Sequence, residues 1–170
     1  MLKIVTIPNP ILNKKTELVK KIDSEILSLI PEMIETCRKA NGIGIAAPQI
    51  GQSIRLCIIN LEHLGLDPFA LVNPKITKKS WKKIEMEEGC LSIPGVFGIV
   101  RRPGKIKVLT QDTQGQTISF EADGLLARVI QHEIDHLDGI LFTSKMIKKT
   151  GAKKTLPRPE KFTPPKFEVM

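Results

Sequence analysis

The chain has 170 residues, 41% of them hydrophobic and 26% charged, which suits one globular domain with a sizeable core and excludes a disordered or fibrous chain. Its longest apolar runs, such as 42–47 and 56–59, fall far short of the roughly 20 residues that cross a bilayer as a helix, so no transmembrane segment is expected. The formal charge of +8 is concentrated at the end: from Lys145 to Met170 there are eight Lys/Arg and two Glu, which leaves the rest of the chain nearly neutral.

In chain order, the N-terminus moves directly from strand-like alternation into a Pro/Asn turn, with neither an apolar signal core nor a transit segment, and a cytoplasmic location is expected. Residues 24–40 carry Ile26, Ile30, Met33, Ile34 and Cys37 at helical spacing. Asp23 and Ser24 are capping candidates, and Asn41-Gly42 closes the helix. Pro31 inside this helix is expected to kink or split it. Residues 54–60 read as a buried strand, 70–77 as a strand broken by Pro74, and 81–87 as a third strand. Residues 105–111 and 116–121 alternate around Asp-Thr-Gln-Gly and form a hairpin.

Asp123 then caps a periodic helix over 124–138, with Leu125, Leu126, Val129, Ile130 and Leu137 on its buried side and Gly139 as its stop. The last segment carries Pro157, Pro159, Pro164 and Pro165 among lysines and cannot be one helix; it either wraps a surface or stays mobile. The fold class expected from these elements is α+β, mostly antiparallel strands packed around the second helix.

Inside that helix lies Gln131-His132-Glu133-Ile134-Asp135-His136, an H-E-x-x-H pattern. Residues four apart lie one turn above each other, so both imidazoles can reach a single ion while Glu133 projects beside it as a general acid/base. Catalytic metal sites generally use three protein ligands and keep a fourth position open. Downstream of His136 the chain offers no further His, only Glu160 and Glu168 in the proline-rich tail. The better candidate is Cys90 in Glu87-Glu88-Gly89-Cys90-Leu91-Ser92, since a thiolate binds zinc or ferrous iron and the neighbouring glycine lets backbone approach closely. Cys37 and Cys57 read as buried small hydrophobes, and three cysteines do not make a disulfide framework. The segment Gly42-Ile43-Gly44-Ile45-Ala46-Ala47-Pro48-Gln49 lacks a phosphate-loop ending and a preceding strand. Its small residues suggest close backbone approach, and Gln49 could donate its amide to a developing oxyanion or simply stabilise a turn.

Together these three segments resemble peptide deformylase in motif, order and spacing, over roughly residues 1–147; the basic, proline-rich 148–170 forms a separate tail. The resemblance implies removal of the N-formyl group from the N-terminal formyl-methionine of new polypeptides, with release of formate. It implies a metal held by Cys90, His132 and His136, ferrous iron in the cell, one per chain, with zinc, nickel or cobalt as substitutes. Glu133 would then move the protons, and Gln49 with the Leu91 backbone N–H would hold the oxyanion. Substrate would pair like an added strand with Ile43, Gly44 and Gly89, beside Glu88, with methionine entering a pocket bounded by Leu125, Arg128 and Val129. Arg128 departs from the apolar residue usual there. Arg102 matches a family arginine that pairs with acidic residues or forms an exposed ion pair. The implied partners are formylated nascent peptides and, through the basic tail, the ribosome, with no membrane or specific DNA.

Two other readings compete. A general metalloprotease shares the helix motif but lacks a cysteine ligand. A ribosome- or RNA-binding module would explain the pI of 9.5, yet the chain has no tyrosine and 4% aromatics for base stacking, and it leaves Glu133 unexplained.

Overall fold

The computed structural model describes residues 1–151 and 156–170. Two antiparallel sheets enclose a central helix. Strands β1 (Gly44–Ala46), β2 (Leu56–Leu61), β3 (Leu66–Lys79), β6 (Lys105–Gln111), β7 (Thr117–Asp123) and β9 (Glu168–Val169) form one sheet in the order β1-β2-β3-β6-β7-β9. Strands β4 (Lys83–Cys90), β5 (Ile93–Pro103) and β8 (Met146–Thr150) form the other, in the order β4-β5-β8. Helix α1 (Ser24–Lys39) packs on one side of the large sheet, and helix α2 (Gly124–Leu137) is buried in the main core with Leu61, Leu71, Val108 and Phe120. The α+β architecture therefore agrees with the sequence reading, and the order leaves both β1 and β4 as edge strands.

The local expectations fare unevenly. Asp23 caps α1 by accepting from the N–H groups of Glu25 and Ile26, and Gly139 stops α2 at a φ of 74°. The 105–111 hairpin pairs in register with β7, Val108 opposite Phe120. Pro31, in contrast, neither splits nor ends α1, which runs unbroken for 16 residues. Pro31 lies on the exposed face, with Ile30 and Met33 buried behind it, so the Leu27 carbonyl it leaves without a helical partner is on the water side. Pro74 does not end β3 either. The register shifts between Val72 and Lys75, and Asn73 takes a φ of 51° while its side chain bonds Val19 and Gln111, a bulge that absorbs the missing donor. Asp123 stands at the cap position of α2 without a side-chain bond to the helix. Trp81 is fully exposed in the turn before β4 rather than within the strand.

The sequence reading also misses β5, whose Pro94, Gly95, Gly98 and Pro103 hide its alternation. The boundary expected at 147/148 falls inside β8, which pairs with β5. The described part of the tail wraps the body: Phe162 packs on the main core, β9 pairs with β7, and the Phe167 ring sits 5.4 Å from Phe69 and 5.0 Å from Phe120.

Candidate metal and active site

Every residue of α2 from Leu125 to Leu137 is buried, including six with polar side chains. Buried polar groups need partners, so the bonds these six make define the site.

Arg128 donates through Nη1 to Glu88 Oε2 and to the Val100 carbonyl, both at 2.8 Å, and through Nη2 to the Ile84 carbonyl at 2.6 Å. Gln131 donates to the carbonyls of Pro103 and Ala127. Asp135 accepts from Arg102 at 2.7 Å and from Lys145. His132 Nδ1 lies 2.8 Å from Glu88 Oε1. Among the described residues, Glu133 Oε2 and His136 Nδ1 are buried with no hydrogen-bond partner.

A strand far upstream of the helix supplies the sulfur. Strand β4 brings Cys90 over the helix, and the ligand atoms of Cys90, His132 and His136 all lie within 4.8 Å of one another, with Cys90 Sγ 3.2 Å from His136 Nε2. Tetrahedral bonds of about 2.3 Å to sulfur and about 2.0–2.1 Å to nitrogen would set such atoms about 3.5 Å apart, so the three donors fit one ion. Glu88 fixes the His132 ring through Nδ1 and leaves the other ring nitrogen facing the cluster, the usual carboxylate support of a metal-ligating histidine. Cys37 and Cys57 are fully buried, as expected of small core hydrophobes, and burial pushes the Cys37 thiol up to about 12 and the Cys57 thiol well above its ordinary value, which disfavours the reactive thiolate.

Beneath the ligands lies an ionic knot. Arg102 is 3% exposed and grips Glu88 bidentately at 2.7 and 2.9 Å while reaching Asp135, so it is a central buried pair and not an exposed one. Burial alone would raise the Glu88 carboxyl, but bonds from Arg102 and His132 outweigh it and hold the group well below the usual carboxylate range. Both Glu88 oxygens are therefore engaged inward. Arg128 borders the cavity as well, and its guanidinium is likewise engaged by Glu88 and two strand carbonyls. The charge of Arg128 is thus paired with Glu88 inside the protein.

Glu133 is 3% exposed, and burial chiefly raises its pKa to about 7; Glu88 adds to the rise while His132 and Arg102 oppose it. A carboxyl tuned to neutrality is what proton transfer near pH 7 calls for. It lies against β1: a Cβ at Gly44 would stand 2.5 Å from Glu133 Oε1 and 2.9 Å from Val129 Cγ1, which explains the glycine. Gln49 follows β1 in a 3-10 turn, where its Oε1 accepts from the Ala46 N–H at 2.8 Å. This fixes the amide so that Nε2 points at Cys90 Sγ (3.5 Å) and Ser92 Oγ (3.2 Å). Leu91 occupies the turn after Cys90, between β4 and β5.

A cavity of about 620 Å³ opens onto this cluster. It is bordered by Ile43, Gly44, Gln49, Glu88, Gly89, Cys90, Leu91, Leu125, Arg128, Val129, His132 and Glu133, so all the sequence-predicted site residues meet there except His136, which lies behind Cys90 and His132. The sequence reading gave no role to Ser92, which stands in the Cys90 motif and accepts from the Gln49 amide, and missed the depth of Arg102, which no local pattern marks. It also missed that Leu156 and Pro157 of the tail reach the same cavity.

Comparison with known proteins agrees with this geometry. The family profile described as Polypeptide deformylase matches residues 1–152. The peptide deformylase of Dictyoglomus thermophilum is 43% identical over 148 residues, covering 87% of this chain and 94% of that relative. That of Caldicellulosiruptor bescii is 46% identical over 146 residues, 86% of each chain. The crystal structure of peptide deformylase from Thermotoga maritima superimposes with a TM-score of 0.82 at 38% identity, covering 86% of this chain and 97% of that one. With its metal-type Cys/His/His cluster beside a buried glutamate, the chain belongs to the polypeptide deformylase family.

Proposed function

We infer that this family member, which removes the N-formyl group from the N-terminal methionine of new polypeptides, does so with Cys90, His132 and His136 holding one ferrous ion and Glu133 moving the protons. The observation that carries the reading is geometric: the donor atoms of Cys90, His132 and His136 lie within 4.8 Å of one another beside Glu133, a buried carboxyl with one unpartnered oxygen that lies against β1. Zinc, nickel or cobalt would suit the same mixed nitrogen and sulfur donors. Bound there, the ion supplies Lewis acidity, which makes water a nucleophile near neutral pH.

The residues of the chain do the rest. Glu133 takes a proton from the attacking water and returns it to the methionine nitrogen as the C–N bond breaks, so that formate and a free amine leave. Gln49 Nε2, aimed by the Ala46 N–H at its own oxygen, and the Leu91 N–H are the donors for the oxyanion. The edge strands β1 and β4 both border the cavity, so an extended peptide can pair with the backbone at Ile43, Gly44 and Gly89, which tolerates many sequences. Leu125, Val129 and the stem of Arg128 then receive the methionine side chain.

The substrate assigns the enzyme to the compartment of translation, the cytoplasm. Ribosome contact is supported by charge: Lys166 of the tail borders a cavity of about 580 Å³ together with Lys78, Lys79, Lys105 and Lys107, and these lysines outnumber Glu121, Asp123 and Glu168 on the same lining. Co-sedimentation with ribosomes should weaken as salt rises and on removal of residues 151–170; unchanged co-sedimentation would exclude this route. The direct test of the reaction is formate release from a formyl-methionyl peptide by protein purified anaerobically with ferrous iron. Release is expected from the wild type and abolished in a metal-loaded Glu133→Gln variant; no release from folded, metal-loaded wild type would overturn the reading.

A further inference from the structure

We propose that segment 156–170, beyond the residues 1–152 that match the family profile, completes the wall of the substrate cavity, with Leu156 as a specificity-determining contact for apolar side chains of the formylated peptide. This rests on the reading of the cavity as the deformylase site.

Three observations lead there. Leu156 and Pro157 border the same cavity as Ile43, Leu125 and Val129, and Leu156 is 37% exposed, an apolar side chain turned partly to open space. The segment is held in place: His63 Nε2 donates to the Pro157 carbonyl at 2.8 Å, and Arg158 Nη1 donates to the His63 carbonyl. Farther on, the tail is fastened twice more, by Phe162 against the core and by Phe167 with β9 against Phe69, Phe120 and β7. A tail tied at both ends of its described length is a fixed wall. Backbone pairing along β1 and β4 carries little sequence information, so an apolar wall beside it is where discrimination between peptides can arise.

Leu156 is an apolar side chain on the cavity lining with no proton or lone pair to offer and lies outside the Cys90, His132 and His136 cluster, so it should affect substrate binding and not the chemical step. Uniform binding lost in this way raises KM while leaving kcat in place. We expect Leu156→Ala to raise KM about threefold to tenfold for formyl-methionyl peptides with apolar following residues, with a smaller change for polar ones, and Leu156→Met to restore most of the loss. His63→Ala, which frees the Pro157 carbonyl, should shift KM in the same direction. Equilibrium binding of the same peptides to metal-loaded Glu133→Gln protein, with and without Leu156→Ala, gives a readout independent of turnover. Weaker apolar-peptide binding with Leu156→Ala supports the wall. Equal binding and equal KM across the peptide set would overturn it. Peptide binding without formate release by the wild type would count against the reaction assigned above and leave the wall standing.

Discussion

Replacing Glu88 by Gln would test whether the ionic knot, rather than the ligand set alone, builds the metal site. The substitution keeps the shape of the side chain but removes the one negative charge shared by Arg102, Arg128 and His132, all of which are nearly buried. Asp135 still faces Arg102, while Arg128 keeps only carbonyl partners. Removing one member of a buried ion pair costs roughly 3–5 kcal/mol, because the other charge stays behind in a poor solvent. At about 2–4 °C per kcal/mol for a domain of this size, the metal-free protein should melt roughly 6–20 °C lower. The second effect is on the ion: loss of the carboxylate behind His132 should weaken metal affinity by about 10–100-fold. The pH dependence gives an internal check. The folded Glu88 carboxyl is depressed, so its stabilisation is fully present above the unfolded value of about 4.3 and is lost as pH falls toward the folded value. The gap between wild type and Glu88→Gln should therefore shrink below about pH 4. Thermal melts of the metal-free proteins across pH, with competitive chelator titrations for the ion, measure all three. A Tm change of under about 2 °C with unchanged metal affinity would refute the reasoning.

Glu133 offers the opposite sign. Its folded pKa is raised to about 7, so the metal-free protein loses stability as pH rises from about 4.3 to 7, and Glu133→Gln should be the more stable form above pH 7 by about 3 kcal/mol; equal denaturant midpoints at pH 8 would contradict the burial argument. Gly44→Ala puts a methyl 2.5 Å from Glu133 Oε1 and 2.9 Å from Val129. We expect about 1–3 kcal/mol of overpacking and a kcat loss larger than the KM change, since the displaced group moves protons; a kinetically silent Gly44→Ala would show that Glu133 can be displaced without consequence. Cys90→Ala should release the ion while leaving Cys37 and Cys57 unreactive to thiol reagents in the folded state; retention of one tight ion per chain would remove Cys90 from the ligand set.

The parts legible in the sequence are those in which one local element carries its own reason. His132, Glu133 and His136 share a helix face because of a four-residue spacing, and α2 is delimited by Gly139, so the cluster could be assembled on paper. Cys90 stands in the Glu88-Gly89-Cys90 motif where downstream histidines are lacking, and Gln49 ends the glycine-rich motif. What stayed hidden depends on the other end of a contact. Arg102, Arg128 and Glu88 are ordinary charges in the sequence, and only the packing of β4 and β5 over α2 shows that they neutralise one another in the core. Pro31 and Pro74 misled because a proline's cost is fixed by where the orphaned carbonyl points and whether a bulge can form, both settled by tertiary packing.

The tail shows the same limit. Its prolines correctly exclude a helix, but composition cannot distinguish a loose basic extension from a strap. The difference lies in single anchors: His63 to the Pro157 carbonyl, Phe167 between Phe69 and Phe120, and two residues of β9 on β7. Each anchor is weak alone, since an edge-to-face aromatic pair contributes about 0.5–1.5 kcal/mol beyond area and a hydrogen bond about 0.5–1.5 kcal/mol net. Acting at both ends of one segment they hold Leu156 at the cavity through avidity rather than through any one contact. The helix of this chain can therefore carry the chemistry while the proposed wall, tied down by a few side chains, tunes which peptides bind.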